Sequence, residues 1–222
     1  MRIAREGTVF ILAPLGVFGA AAAGAWALAL PGAAAGLAGT GILLSAFSVF
    51  FFRDPERIPP SDPDAVLSGA DGVVRQVEEM PELRHLRTRT VRISVFLSAF
   101  NVHINRAPIG GVVCHLSYHP GRKMLAYLNA ASEQNEHSEI LIEGGRTRCL
   151  VKQIVGPVAR RVVYTLVPGQ KIGPGERIGL MKFGSRLDVY LPADEVRVVV
   201  KRGDRVVAGE TMVARVTGEA NR

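Results

Sequence analysis

The sequence predicts a mainly β domain behind an N-terminal helical hairpin that crosses a membrane, and three patterns carry the prediction. No residue between positions 7 and 52 is charged, and the run is rich in Ala, Leu, Gly, Val and Phe. From Ala65 onward, short β-branched runs are broken by Gly and Pro, with little helical periodicity. Near the C-terminal end, Leu187, Val189 and Leu191 alternate with Asp188 and Tyr190 directly after a Gly184-Ser185 pair. That period of two is the signature of a strand, and it puts Ser185 at a turn or strand start.

The uncharged run exceeds one membrane span of roughly 20 residues and approximates two. Helices are expected over residues 8–30 and 33–52, with Pro31-Gly32 as the turn and residues 1–52 as the anchor. A cleavable signal peptide is the competing reading of the first span, because Arg2 and Arg5 form a basic start, but the second span then still acts as an anchor. Arg2 and Arg5 before the hairpin and Arg53 and Arg57 after it set positive charge on one side of both ends. The bulk of the protein is therefore expected on the cytoplasmic face of the cell membrane.

Pro55, Pro59, Pro60 and Pro63 exclude helix and central strand from residues 53–64, which read as a linker. Residues 65–222 then form the β domain, with strands expected over 72–77, 90–97, 111–118, 139–142, 149–155, 162–167, 187–191, 196–200 and 211–216. One short helix is expected near 123–131. Within this domain Gly169-Gln170-Lys171-Ile172-Gly173-Pro174-Gly175-Glu176 is echoed by Gly203-Asp204-Arg205-Val206-Val207-Ala208-Gly209-Glu210. Each glycine suits a tight turn, and two such turn-and-strand units resemble the halves of a lipoyl- or biotinyl-type β-sandwich.

At 222 residues the chain accommodates one domain with a good core plus extra segments. A net charge of +7 and a pI near 9.9 call for an anionic partner, either nucleic acid or an acidic membrane surface. No aromatic-rich basic strand or reading motif supports nucleic acid, so an anionic membrane surface is expected instead. The two cysteines, Cys114 and Cys149, have no CxxC spacing, and no metal site is expected of them. They fit a reduced, cytosolic setting, with one disulfide left open.

Glycine at 184 permits backbone angles that a side chain forbids and leaves its carbonyl open to the Ser185 hydroxyl, so an N-to-O acyl shift is conceivable there. On its own a Gly-Ser pair is an ordinary turn. The run Lys182-Phe183-Gly184-Ser185-Arg186, however, resembles the self-processing site of the short-form phosphatidylserine decarboxylases. The resemblance extends to Phe52-Arg53-Asp54-Pro55-Glu56-Arg57, Ser68-Gly69-Ala70-Asp71-Gly72, Phe96-Leu97-Ser98 with Val102-His103-Ile104-Asn105-Arg106-Ala107-Pro108, and Asn135-Glu136. These matches follow the family's order.

The resemblance implies cleavage between Gly184 and Ser185 into chains 1–184 and 185–222, which stay partners, and conversion of Ser185 into a pyruvoyl group. It implies decarboxylation of phosphatidylserine to phosphatidylethanolamine and a lipoyl-like catalytic fold, and it leaves the oligomeric state open, a homo-oligomer included. The chemistry has a reason to need such a group. Decarboxylating an amino acid leaves a carbanion that no ordinary side chain delocalises, so a carbonyl electron sink is required.

Proton transfer serves both processing and turnover, and imidazole suits it near neutrality. The family motif singles out His103, while His85, His115, His119 and His137 match no position assigned to chemistry and read as structural or exposed. Asp71 reads alone as a turn residue; the resemblance makes it the carboxylate that assists the base. Arg106 stands where longer family members carry a second histidine, and Asn101 where Asp is common. Arg106 then becomes a candidate for holding the phosphate or carboxylate, with Asn135 and Glu136 as further substrate-binding candidates. The alternative is a membrane-tethered carrier domain built on Met181-Lys182, a weak match to a biotin-bearing lysine because Phe183 stands where a second Met is expected.

Overall fold

The computed structural model describes residues 2–122, 124, 134–156, 162–164, 166–181 and 185–217. The chain divides into two compact units, Met1–Glu56 and Arg57–Arg222. In the first unit, β1 (Arg2–Ile3) and a single 3₁₀ turn (Arg5–Gly7) lead into α1 (Thr8–Ala27), α2 (Pro31–Phe51) and β2 (Arg53–Asp54). β1 and β2 pair antiparallel, closing the ends of the hairpin.

Both helices are long and apolar enough to cross a membrane. None of the residues of α1 is buried, and Val9, Leu12, Val17 and Trp26 stand well exposed, an arrangement suited to hydrocarbon and costly in water. The helices touch closely at Gly41, where a Cβ would lie 2.8 Å from Phe18 Cβ and 3.1 Å from the Pro14 carbonyl. Ser45 Oγ donates to the Ile11 carbonyl at 2.8 Å, a side-chain bond from one helix to the other. The turn differs from the expectation. Pro31 opens α2 instead of sitting in the bend, since its fixed φ suits a first helical turn, and Ala29 takes the left-handed conformation (φ 57°).

The second unit runs β3 (Ala65–Leu67), β4 (Gly72–Glu82), β5 (Thr88–Leu97), β6 (Ile104–Arg106), β7 (Gly111–His119), β8 (His137–Glu143), β9 (Arg148–Val155), β10 (Val162–Tyr164), β11 (Lys171–Ile172), β12 (Arg177–Met181), β13 (Ser185–Pro192), β14 (Val196–Val198), β15 (Arg205–Val206) and β16 (Met212–Val216). The domain is mainly β, as its broken β-branched runs predict. Strands β3, β6, β11 and β15, two or three residues each, and β12, whose apolar run is interrupted by Gly179, lie outside the expected strands. The expected helix over 123–131 lies outside the described residues except for Met124.

One curled antiparallel sheet has the order β11-β7-β8-β9-β13-β5-β4-β15, and two three-stranded sheets have the orders β10-β12-β6 and β14-β16-β3. These orders are related by a local twofold lying between β9 and β13. Hydrogen bonds repeat across it: Arg106 N–H to the Gly69 carbonyl (2.9 Å) answers Leu67 N–H to the Pro108 carbonyl (2.8 Å). Gly175 N–H to Ala107 and Gly209 N–H to Ser68 form another such pair, both 2.9 Å. The four echoed glycines all need the left-handed region, with φ of 85° and 99° at Gly169 and Gly203 and 73° at both Gly175 and Gly209.

One core fills the space between the sheets. Val95, Leu97, Ile140, Ile142, Val151, Val155, Leu187, Val189 and Leu191 belong to it, which is the inward set predicted for β13 by its alternation. On the other face of the large sheet Leu86, Leu141, Leu150 and Tyr190 make a smaller cluster. Arg186 and Asp188 lie between strands on that face as a buried bidentate ion pair, 2.9 and 3.0 Å. Residues 57–64 are tied to this unit by ion pairs from Arg57 to Asp71, Arg215 to Asp62 and Arg146 to Asp64. Cys114 is exposed and Cys149 buried, both as free thiols.

Candidate active site

The motifs that are scattered in sequence come together at one end of the large sheet. A single row of register partners runs Val73, Phe96, Arg186, Ile154, His137 and His119 across β4, β5, β13, β9, β8 and β7. Beside that row stand Asp71, Phe96-Leu97-Ser98, Ser185 and Asn135-Glu136. Antiparallel pairing explains the convergence, because the start of each strand meets the end of its neighbour.

Ser185 is the first residue of β13, as expected from the sequence, and is paired with both Leu97 and Val155. Its side chain is fully buried on the core face. Its Oγ finds no hydrogen-bond partner among the described residues, a costly state for a buried hydroxyl and one frequently found where a group has chemistry to do. Gly184, with Lys182 and Phe183, lies outside the described residues.

His103 immediately precedes β6 and is completely buried, more enclosed than its place at a strand end suggests. Its Nδ1 is 3.0 Å from the Asn101 carbonyl, an acceptor, so a neutral ring carries its proton on Nδ1 and its lone pair on Nε2. Asn101 in turn accepts from the Ser98 N–H and hydroxyl, fixing the bend that presents the imidazole. The His103 carbonyl accepts from Met181 N–H at 3.2 Å. Met181 ends β12, just ahead of the segment that delivers Ser185.

Asp71 begins the turn into β4. Its two oxygens accept from Ala208 N–H at 2.8 Å and from Arg57 Nη2 at 2.9 Å. Two separate motifs are thus joined by an ion pair whose side chains are both mostly buried. Arg106 directs Nη1 to the Gly175 carbonyl at 3.0 Å, and a Cβ on Gly209 would come within 2.9 Å of its Cδ. It braces the two equivalent turns through these contacts.

Asn135 spends its amide on the backbone: Nδ2 donates to the Met124 and Val155 carbonyls, and Oδ1 accepts from Met124 N–H. The Glu136 carbonyl accepts from Val155 N–H at 3.1 Å. Both residues therefore hold Val155, the cross-strand partner of Ser185. Sequence reading overlooks a buried chain behind it, in which Ser138 Oγ donates to Gln153 Oε1 (2.8 Å) and Gln153 Nε2 to Asn105 Oδ1 (2.7 Å). The available signal was a lone Gln in the apolar run of β9.

Fold and site define a β domain that places a buried serine hydroxyl at the head of a central strand. A sequence profile described as phosphatidylserine decarboxylase matches residues 44–214. The chain belongs to the phosphatidylserine decarboxylase family. It is 44% identical over 176 residues to a phosphatidylserine decarboxylase proenzyme of Carboxydothermus hydrogenoformans, covering 79% of this chain and 83% of that one. A proenzyme of the same name from Symbiobacterium thermophilum is 42% identical over 215 residues, 96% of this chain and 95% of the relative. One from Chlorobium phaeobacteroides is 42% identical over 173 residues, covering 78% and 80%.

Proposed function

We propose that this chain is the proenzyme of a phosphatidylserine decarboxylase that converts phosphatidylserine to phosphatidylethanolamine after cutting itself between Gly184 and Ser185. The observation that carries the reading is the buried Ser185 hydroxyl at the start of β13, without a hydrogen-bond partner among the described residues, within the motifs of this family. In processing, Ser185 Oγ attacks the Gly184 carbonyl carbon, and the C–N bond gives way to an ester. Loss of the ester as a Gly184 carboxylate, with removal of the Ser185 α-proton, leaves a dehydroalanine end. Water then releases ammonia and leaves a pyruvoyl group.

The residues present suit such a group, because the only side-chain oxygen at the head of β13 is committed to no other partner among those described. When formed, the pyruvoyl ketone supplies an electron sink for the serine headgroup as carbon dioxide departs. His103, with its Nε2 lone pair, takes and returns the proton at the substrate carbon. Asp71 and Arg57 hold the turn behind it and tune the base that activates Ser185. Arg106 offers charge for the headgroup phosphate or carboxylate, while Asn135 and Glu136 act through Val155, the strand partner of Ser185.

The two apolar helices anchor the protein in the cell membrane, with the β unit on the cytoplasmic face and the chain's net positive charge favouring anionic lipid. The repeated turns at Gly175 and Gly209 support a lipoyl-like sandwich for residues 65–222. Intact mass with and without hydroxylamine tests the central claim. Two chains, 1–184 and 185–222, with a ketone-dependent adduct on the second are expected; a single unmodified chain with full activity would refute it.

A further inference from the structure

Four of the five histidines converge on one buried carboxylate, on the face of the large sheet opposite Ser185. His119 and His137 are cross-strand partners on β7 and β8, and Glu139 follows His137 by two residues, so all three share that face. His119 Nε2 lies 3.3 Å from Glu139 Oε2, and His137 Nε2 lies 3.6 Å from Oε1. One donor atom from each falls within 4.8 Å of the others. A tetrahedral zinc ion bound at about 2.0–2.1 Å holds its donors roughly 3.3 Å apart, so small adjustments of these side chains suffice.

His137 makes the case stronger. Its Nδ1 is 2.7 Å from the Asn135 carbonyl, which can only accept, so Nδ1 carries a proton. With Nδ1 held by that carbonyl, Nε2 is the nitrogen turned toward Glu139, and a cation can sit between the two. Backing of one imidazole nitrogen by a carbonyl is how metal-binding histidines are held.

We propose that His119, His137 and Glu139 bind a divalent transition-metal ion of the zinc type, with a fourth position left for water. Two imidazoles and a carboxylate suit zinc, cobalt or nickel better than magnesium or calcium. His85 serves behind the ligands: its Nε2 lies 2.9 Å from Glu139 Oε2 and steers the carboxylate, while its ring packs against His115 at 4.5 Å. His119 keeps 38% of its side chain exposed, which gives the ion a way in. Lys152 Nζ, 2.7 Å from Glu139 Oε1, competes with the ion and limits affinity. Through Asn135, which also grips Val155, the site is coupled to the strand that flanks Ser185.

The test uses the full-length protein in detergent, stripped with a chelator and titrated with Co²⁺ alone. One equivalent with the visible absorption of a four-coordinate ion, displaced by Zn²⁺, is expected. His119→Gln, at a partly exposed position, should weaken binding by about tenfold or more while the metal-free protein keeps its circular dichroism. Lys152→Met provides an independent arm, since removing the competing charge should tighten Co²⁺ binding. The proposal is overturned if no Co²⁺ is taken up, if uptake is lost with His115→Gln and not with His119→Gln, or if Lys152→Met leaves affinity unchanged or weaker. None of these readouts depends on decarboxylase activity.

Discussion

Gly175 and Gly209 meet across the local twofold, so closely that a Cβ on Gly209 would stand 3.2 Å from Gly175 Cα. Both sit at φ 73°, where a side chain costs roughly 1–2 kcal/mol even in open space. At Gly209 the added carbon also meets Arg106 Cδ at 2.9 Å, and at Gly175 it meets Pro59 Cγ at 2.7 Å. Gly209→Ala and Gly175→Ala should each lower the unfolding midpoint, whereas Gly203→Ala, with open space around it, should cost only the strain. Equal losses at all three positions in a thermal melt would show that crowding between the turns is unimportant.

Ser185→Ala removes the nucleophile while leaving the strand intact. The chain should stay at full length on a denaturing gel and show no turnover. Ser185→Cys should still divide, more slowly or faster, because a thiol can make the same shift. Division of the alanine variant at this bond would end the self-processing account.

His103→Ala and Asp71→Asn should separate the two stages. Loss of a positioned acid or base costs typically about 10²–10⁴-fold, so His103→Ala should lower turnover by that order even in molecules that have divided. Asp71→Asn should chiefly slow the appearance of the 185–222 chain, since it loosens the Arg57 and Ala208 contacts of the turn. The measurement is turnover per pyruvoyl, with the divided fraction read separately. Normal turnover per pyruvoyl in His103→Ala would remove that imidazole from the reaction.

Glu82 closes the turn between β4 and β5 by accepting from the N–H groups of Arg84, His85 and Leu86. Burial works against its charge, but those three backbone bonds and nearby His85 hold its pKa below the ordinary 4.5. A depressed carboxyl stabilises the fold above its unfolded pKa, and that contribution fades as pH falls through the lower folded value. Glu82→Gln should therefore destabilise the protein by about 1–3 kcal/mol at neutral pH and by much less near the acid limit. A penalty independent of pH would assign the loss to packing.

Removing residues 1–52 should leave a β unit that still divides but works poorly on lipid in bilayers, since anchoring concentrates the substrate. With the whole protein, activity on vesicles containing anionic lipid should fall as salt rises, at roughly 1 kcal/mol per well-placed basic residue. Protease applied outside intact cells should leave residues 65–222 whole. Digestion from that side would invert the orientation.

What was legible in the sequence followed from local rules. Alternation in residues 187–191 fixed which side of β13 faces the core, and the lack of charge across residues 7–52 marked two helices. Repeated glycines at 175 and 209 announced their left-handed turns, but nothing local announced that the turns would touch. The same limit hid the histidines: His85, His119 and His137 are unremarkable singly, and only the register of β7 on β8 and the turn after β4 bring them to Glu139. Asp71 with Arg57, and Asn135 with Val155, are likewise pairings that only the folded topology makes.

β13 is held along both edges, by β5 and by β9, while the segment before it is the covalent tie to β12 in a different sheet. A break at the head of β13 would sever that tie and leave the ladders of both sheets untouched. Maturation would then leave the native contacts in place while giving the unfolded state two independent chains, so the divided protein should melt at a lower temperature that depends on its concentration. The new chain end alone would gain freedom, and it is the place where freedom is needed to admit a lipid headgroup.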